Sequence, residues 1–186
     1  MNEQDKTNKF EAIVLPHLDA AYNLARWLTR NEHNADDLVQ TAFMRAFNFF
    51  DGFRGSDARA WLLTIVRNTY FTSLRDNRHE RAAASFDEEE LVQNANDGNE
   101  RNTSSYDIGK NPESMLAARD TKRLVNQALA SLPQQFREVI VLKEINELSY
   151  KEIADIADIP LGTVMSRLAR GRELLREYLA KYAVGE

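Results

Sequence analysis

The sequence predicts an all-α fold of two small helical domains joined by a flexible acidic linker, the C-terminal domain carrying a helix-turn-helix. Three observations predict it. Apolar residues recur at three-and-four spacing through most of the chain, and no stretch alternates with the period of a strand. Residues 82–113 interrupt that pattern with acidic and small polar side chains. Near the C-terminus a capped short helix, a tight turn and a longer basic helix follow one another.

From about Asn8 to Thr29, the residues Phe10, Ile13, Val14, Leu18, Ala21, Tyr22, Ala25 and Leu28 line one face of a first helix. Asn34 is the expected N-cap of a second. Asp36 and Asp37 fall in its first turn, where carboxylates oppose the positive end of the helix dipole, and Leu38, Val39, Ala42, Phe43, Ala46, Phe47 and Phe50 form its apolar side. The segment Asp51-Gly-Phe-Arg-Gly-Ser-Asp57 is expected to be a loop, because two glycines break the periodicity. A third helix is predicted from about Ala58 to Asn77, with Ala58, Trp61, Leu62, Ile65, Val66 and Thr69 on its inner side.

Residues 82–113 have too few large apolar groups to order themselves, which leaves 1–81 and 114–186 as the folded domains. Asn111-Pro112 supplies a cap and a proline at the first helical position, and the helix continues from Ser114 to Ala130, where Leu132-Pro133 breaks it. A further helix, Gln134 to Ile145, carries Phe136, Val139, Ile140 and Leu142. Ser149-Tyr-Lys-Glu152 is a capping box that opens a short helix through Ala157. The turn Asp158-Ile-Pro-Leu-Gly162 ends it, and Thr163 to about Tyr182 forms the last helix.

The chain has 24 basic and 29 acidic residues, a net charge of −5, which argues against a uniformly basic nucleic-acid binder and makes the distribution informative. The net charge is −3 over 1–51, +3 over 52–81, −6 over 82–113 and +1 over 114–186, and the last piece contains a local excess of +3 over 161–181. Two basic segments therefore flank an acidic one. The absence of cysteine excludes disulfides and cysteine-ligated zinc, and His17, His33 and His79 lack metal-ligand spacing, so neither metal nor cofactor is expected. An enzymatic reading would have only carboxylates such as Asp36, Asp37 or Glu88–Glu90 to rest on. No nucleophile–base pair or phosphate loop accompanies them, so no catalytic residue is expected. The polar N-terminus and a longest apolar run of only Ala60 to Val66 predict a cytoplasmic protein without membrane insertion.

In the last helix, Val164, Leu168, Gly171, Leu175 and Leu179 share the inward side. Thr163, Ser166 and Arg170 point the other way with Arg167 on the flank, offering donors to base edges and phosphates. In the third helix, Arg67, Phe71, Arg75 and Arg78 lie opposite the core at intervals of four, four and three. An aromatic among arginines suits single-stranded nucleic acid, since bases stack on the ring and guanidinium groups follow the backbone. The loop before it, with Phe53, Arg54 and Ser56, could receive an extruded base. Each feature also has a plainer reading: an ordinary antiparallel helix pair with a solvated arginine face, and a solvated basic face with one misassigned core phenylalanine.

The runs Ala35-Asp-Asp-Leu-Val-Gln-Thr-Ala-Phe43, Phe53-Arg-Gly55, Trp61-Leu62, Ile65 and Arg67-Asn-Thr69 resemble the second conserved domain of bacterial sigma factors of the extracytoplasmic-function group. Leu132-Pro133, Phe136-Arg137, Leu148-Ser-Tyr-Lys-Glu-Ile-Ala154 and Pro160-Leu-Gly-Thr-Val-Met-Ser-Arg167 resemble their fourth. The resemblance implies that Asp36, Asp37 and Gln40 dock on the clamp helices of the β′ subunit of RNA polymerase core, with the β flap as a second contact. It implies that Asp51–Asp57 and the helix holding Asn68 recognise and open the −10 promoter element. The helix from Thr163 would read the −35 element, and the acidic linker would thread toward the active-site and RNA-exit channels. It further implies an anti-sigma factor, itself membrane-bound in some systems, and a stress or envelope-response regulon. Many members carry a basic residue where Met165 stands, so the −35 sequence does not transfer. A competing expectation is a core-independent helix-turn-helix regulator in which 1–81 is an input or dimerisation module; it predicts a dimer on paired half-sites.

Overall fold

In the computed structural model, residues 3–55, 57–84 and 112–183 are described, with side chains throughout except at 79–84 and 112–118. Every regular element among them is helical. Pro16 lacks an N–H and its ring crowds the preceding turn, so the single helix expected from Asn8 to Thr29 is two: α1 (Glu3–Val14) and α2 (Leu18–Thr29), separated by a 3-10 turn at Leu15–His17. The chain then reverses through Arg30, whose φ of 58° is left-handed. This puts Asn31 in extended backbone at the start of α3 (Glu32–Phe49), and Asn31 Oδ1 accepts from the Asn34 N–H at 3.0 Å. Asn31, not Asn34, is therefore the cap.

α4 (Ala58–Ala84) continues past the expected end at Asn77, and α5 (Pro112–Ser131) begins at the proline. The interior of the expected linker, 85–111, lies outside the described residues, as does Asn111 as a cap. α6 is only Gln134–Ile140, because the chain loosens into a π-helical turn at Val141–Ile145, where the Asn146 N–H bonds the Val141 carbonyl at 3.0 Å. α7 (Tyr150–Ala157) and α8 (Leu161–Ala183) complete the chain.

α2, α3 and α4 pack as one three-helix module. Ala21, Ala25, Ala35, Ala42 and Ala46 are fully buried and let the axes approach, while Leu24, Leu62, Leu63 and Val66 fill the space between them. Each such leucine contributes about 1.5–3 kcal/mol by leaving water. Phe10 clamps α1 onto this module through edge-on contacts with Phe43, Phe47 and Phe50 at ring separations of 6.3, 5.3 and 5.3 Å. The second module is built on α8, whose Val164 and Leu168 are buried and which α5, α6 and α7 all contact. Gly171 is the point of closest approach: a Cβ there would lie 3.0 Å from Ile140 Cγ1 and 3.4 Å from Phe136 Cβ.

The two modules touch. α4 packs along α7, and α2 packs against α6 and the π-helical turn, so the buried apolar residues of both halves form one contiguous cluster. This contact explains Leu63, which sequence periodicity did not place inside and which is 0% exposed.

Candidate nucleic-acid interface

The helix-turn-helix is assembled by local chemistry. Ser149 Oγ accepts from the Glu152 N–H at 3.2 Å and the Glu152 carboxylate accepts from the Ser149 N–H at 2.6 Å, a capping box that satisfies two donors at the start of α7. α7 stops at Asp158, left-handed at φ 52°, with its N–H on the Ala154 carbonyl. The Pro160 carbonyl then accepts from Thr163 and Val164 at 2.9 and 3.1 Å, so α8 starts at Leu161, ahead of the expected Thr163.

The outward face of α8 carries Ser166 and Arg170, both exposed, with Thr163 and Arg167 half-buried at its edge. Ser166 Oγ donates to the Thr163 carbonyl at 3.1 Å, leaving its lone pairs outward. Arg170 Nη1 donates to Glu173 Oε2 at 2.5 Å, and that hydrogen bond raises the arginine's pKa, so its charge is secure. Leu161 and Met165 are also exposed on this helix, 48% and 51%, and add apolar contact area beside the polar groups.

On α4, Asn68, Arg75 and Arg78 are exposed. Phe71 is half-buried, edge-on to Tyr70 at 5.2 Å, with the Arg67 guanidinium 4.6 Å above its ring. The structure thus brings Arg67, Asn68 and Phe71 together, with the guanidinium over the ring. Arg67 is also engaged from the other module: its Nε donates to Glu138 Oε1 at 2.5 Å, and the glutamate side chain is 3% exposed.

In the preceding loop Phe53 is half-buried, stacked on Phe50 at 6.2 Å and tilted against Trp61 at 4.8 Å, so it anchors the loop to the core. Arg54 is exposed and donates to the Asp51 carbonyl at 2.8 Å. Ser56 lies outside the described residues. Asp57 accepts from the Ala60 N–H at 2.9 Å and caps α4.

Asp36, Asp37 and Gln40 are exposed on α3, and Asp37 lies 3.7 Å from His33. Asp36 and Gln40 rim an open groove together with Asp19, over a floor of Leu15, Leu18, Val39 and Phe43. A second groove, which shares Leu15 and Phe43, adds Phe10, Met44 and Phe47. Sequence periodicity placed Leu18 inside, yet it is 43% exposed, and Leu15 and Met44 are 45% and 64% exposed. The available signal was Pro16: the break it makes changes the phase of the apolar face between α1 and α2. Among the described residues no group of three or more His, Asp or Glu could hold a metal ion, and no helix is long and apolar enough to cross a membrane.

These surfaces coincide with two family matches. Residues 13–80 match the family model for sigma-70 region 2, and residues 122–175 match the model for sigma-70, region 4. The chain is 33% identical over 97% of its length to the ECF RNA polymerase sigma factor SigE of Mycolicibacterium smegmatis, of which it spans 65%. It is 34% identical to the ECF RNA polymerase sigma factor SigW of Bacillus subtilis, over 91% of this chain and 88% of that one. Among solved structures it is similar to the sigma factor RpoE in complex with the anti-sigma factor NepR from Bartonella quintana, with a TM-score of 0.67 and 29% identity over 92% and 97% of the two chains. It is also similar to CnrH in complex with the cytosolic domain of CnrY, with a TM-score of 0.60 and 26% identity over 94% and 90%. Two region matches in the right order, and relatives that share nearly the whole length, establish that the chain belongs to the sigma-70 family of RNA polymerase sigma factors, in its extracytoplasmic-function group.

Proposed function

We propose that the chain is a promoter-recognition subunit of RNA polymerase that initiates transcription of a stress or envelope-response regulon, acts in the cytoplasm and catalyses no reaction itself. The observation that carries this reading is the pair of cationic helical faces on separate modules, one beside a region 2 core and one on a region 4 helix-turn-helix. In this reading residues 1–81 dock on the polymerase core and melt the −10 element, 82–113 tether the halves, and 114–186 read the −35 element. Asp36, Asp37 and Gln40 dock on the β′ clamp helices, whose apolar side chains the adjoining groove of Leu15, Leu18, Val39 and Phe43 suits. The second module takes the β flap. Asn68, Phe71, Arg75, Arg54, Phe53, Ser56 and Arg67 serve the −10 strand. Thr163, Ser166, Arg167 and Arg170 serve the −35 duplex, whose sequence is not inherited because Met165 offers bases an apolar contact. Two similar structures are complexes with a regulatory chain, which supports an anti-sigma partner here too.

Reconstitution with core polymerase, followed by sequencing of the transcripts, tests the reading, with start-site-specific RNA as the expected result. Reversing Asp36 and Asp37 together to lysine should abolish co-elution with core while far-UV circular dichroism stays unchanged. Tight operator binding by a dimer that never associates with core would replace this reading with that of an independent helix-turn-helix regulator.

A further inference from the structure

Four polar contacts join the two modules. Arg137 Nε donates to the Trp27 carbonyl at 2.9 Å, and Asn146 Nδ2 donates to the Ala20 carbonyl at 3.4 Å. Arg59 donates to the Asn146 carbonyl, and Arg67 donates to Glu138. Arg137, Glu138 and Asn146 are 4%, 3% and 1% exposed, so the contact is closed to water yet rich in polar groups. Such an interface differs from a permanent apolar core. Each of these groups regains water when the modules part, and a buried ion pair contributes one defined register more than it contributes stability, because desolvation offsets the attraction.

The position of the ion pair gives it a consequence. Arg67 stands on the α4 face read above as the −10 surface, beside Asn68 and over Phe71. A guanidinium that donates to a carboxylate must exchange that partner before the same donor meets a phosphate. On α8 the situation is reversed: Ser166 and Arg170 are exposed in the same arrangement. The chain therefore covers one DNA-facing surface and leaves the other open.

We propose that Glu138 is an internal competitor for promoter DNA: through Arg67 it latches the free chain shut over its −10 surface, and the latch must break before that surface binds. The proposal rests on the reading of α4 as the −10 surface. Opening needs no local unfolding, since α4 and α6 are held within their own modules by Leu62, Val66, Val139 and Ile140.

The test uses the full chain without polymerase, with small-angle scattering for compactness and fluorescence anisotropy on a short labelled single-stranded DNA for binding. Glu138→Gln should enlarge the radius of gyration and raise single-strand affinity roughly tenfold, in proportion to the gain in the open population. Arg67→Gln should expand the chain equally with no gain in affinity. The exchange Arg67→Glu with Glu138→Arg should restore the compact form and bind the strand no better than wild type. Wild-type compactness in both single variants would overturn the latch, and so would an affinity gain in Glu138→Gln that survives the addition of Arg67→Gln. Expansion without any gain would place the failure in the −10 assignment. If Glu138→Gln does not fold, the compactness of Arg67→Gln and of the exchanged pair decides.

Discussion

The two DNA-facing surfaces are made by different means. On α8 the outward side chains are placed by their immediate surroundings: a capping box at Ser149 and Glu152, a left-handed turn at Asp158, and an inward stripe of Val164, Leu168 and Gly171. Arg170 meets only Glu173, one turn along the same helix and equally exposed. On α4 the decisive neighbour of Arg67 is 71 residues away, in the other module. A surface set by near neighbours stays presented whatever the rest of the chain does. A surface held by a distant partner is conditional, and its availability depends on how the modules sit.

This comparison can be broken most decisively by asking whether the halves unfold together. Leu62→Ala and Leu168→Ala each empty a site that is 0% and 1% exposed and should cost about 2–5 kcal/mol. Both tryptophans, Trp27 and Trp61, lie in the first module, so fluorescence reports on that half while circular dichroism reports on both. In urea, Leu168→Ala should shift the dichroism transition and leave the fluorescence stability within about 0.5 kcal/mol of wild type. Equal shifts in both signals would mean a single cooperative unit, and the distinction between local and conditional surfaces would fall.

Gly171→Val tests the internal packing of the second module alone. The added branches meet Ile140 and Phe136, and the change should cost about 1–3 kcal/mol by denaturant titration. Arg170→Ala, assayed as holoenzyme on promoter DNA, should lose about 1–3 kcal/mol if the arginine reads a base. If it touches only phosphate, the salt dependence should weaken by about one charge while sequence preference is kept. Ser149→Ala removes half of the capping box and should cost about 1 kcal/mol. Smallest of all, Arg172→Ala gives up a pair with Glu144 whose side chains are 42% and 50% exposed, and thermal melts should register no more than about 0.5 kcal/mol.

The same contrast marks what could be read from the sequence. Helix content, the capping box, the turn at Asp158–Gly162 and the inward stripe of α8 all follow from residues within a few positions of one another, where propensity and periodicity carry information. Two local signals were outweighed by others close by. Asn34 lost the cap to Asn31 because Arg30 turns the chain earlier, and Leu18 came to the surface because Pro16 re-phased the helix. The burial of Leu63, Glu138 and Arg137 was beyond periodicity altogether. Each is explained by a partner on the far side of residues 85–111, and two charged residues in succession on α6 look solvent-facing until that partner is in place. For the α4 site, residue types were legible but engagement was not: Arg67 carries the charge expected of it, and only the fold shows with whom it is shared.

The π-helical turn at Val141–Ile145 holds one residue more than an α-helix of the same height would need. That surplus sets the azimuth of everything after it. Trimming a single residue there would rewind the stretch as ordinary helix and swing the following segment by about 100° around the axis. Asn146 would be carried off the Ala20 carbonyl, and α7 off α4, with no residue of the helix-turn-helix altered. A one-codon deletion at this point is thus a geometric instrument, able to change how the two halves face each other while leaving the chemistry of both intact.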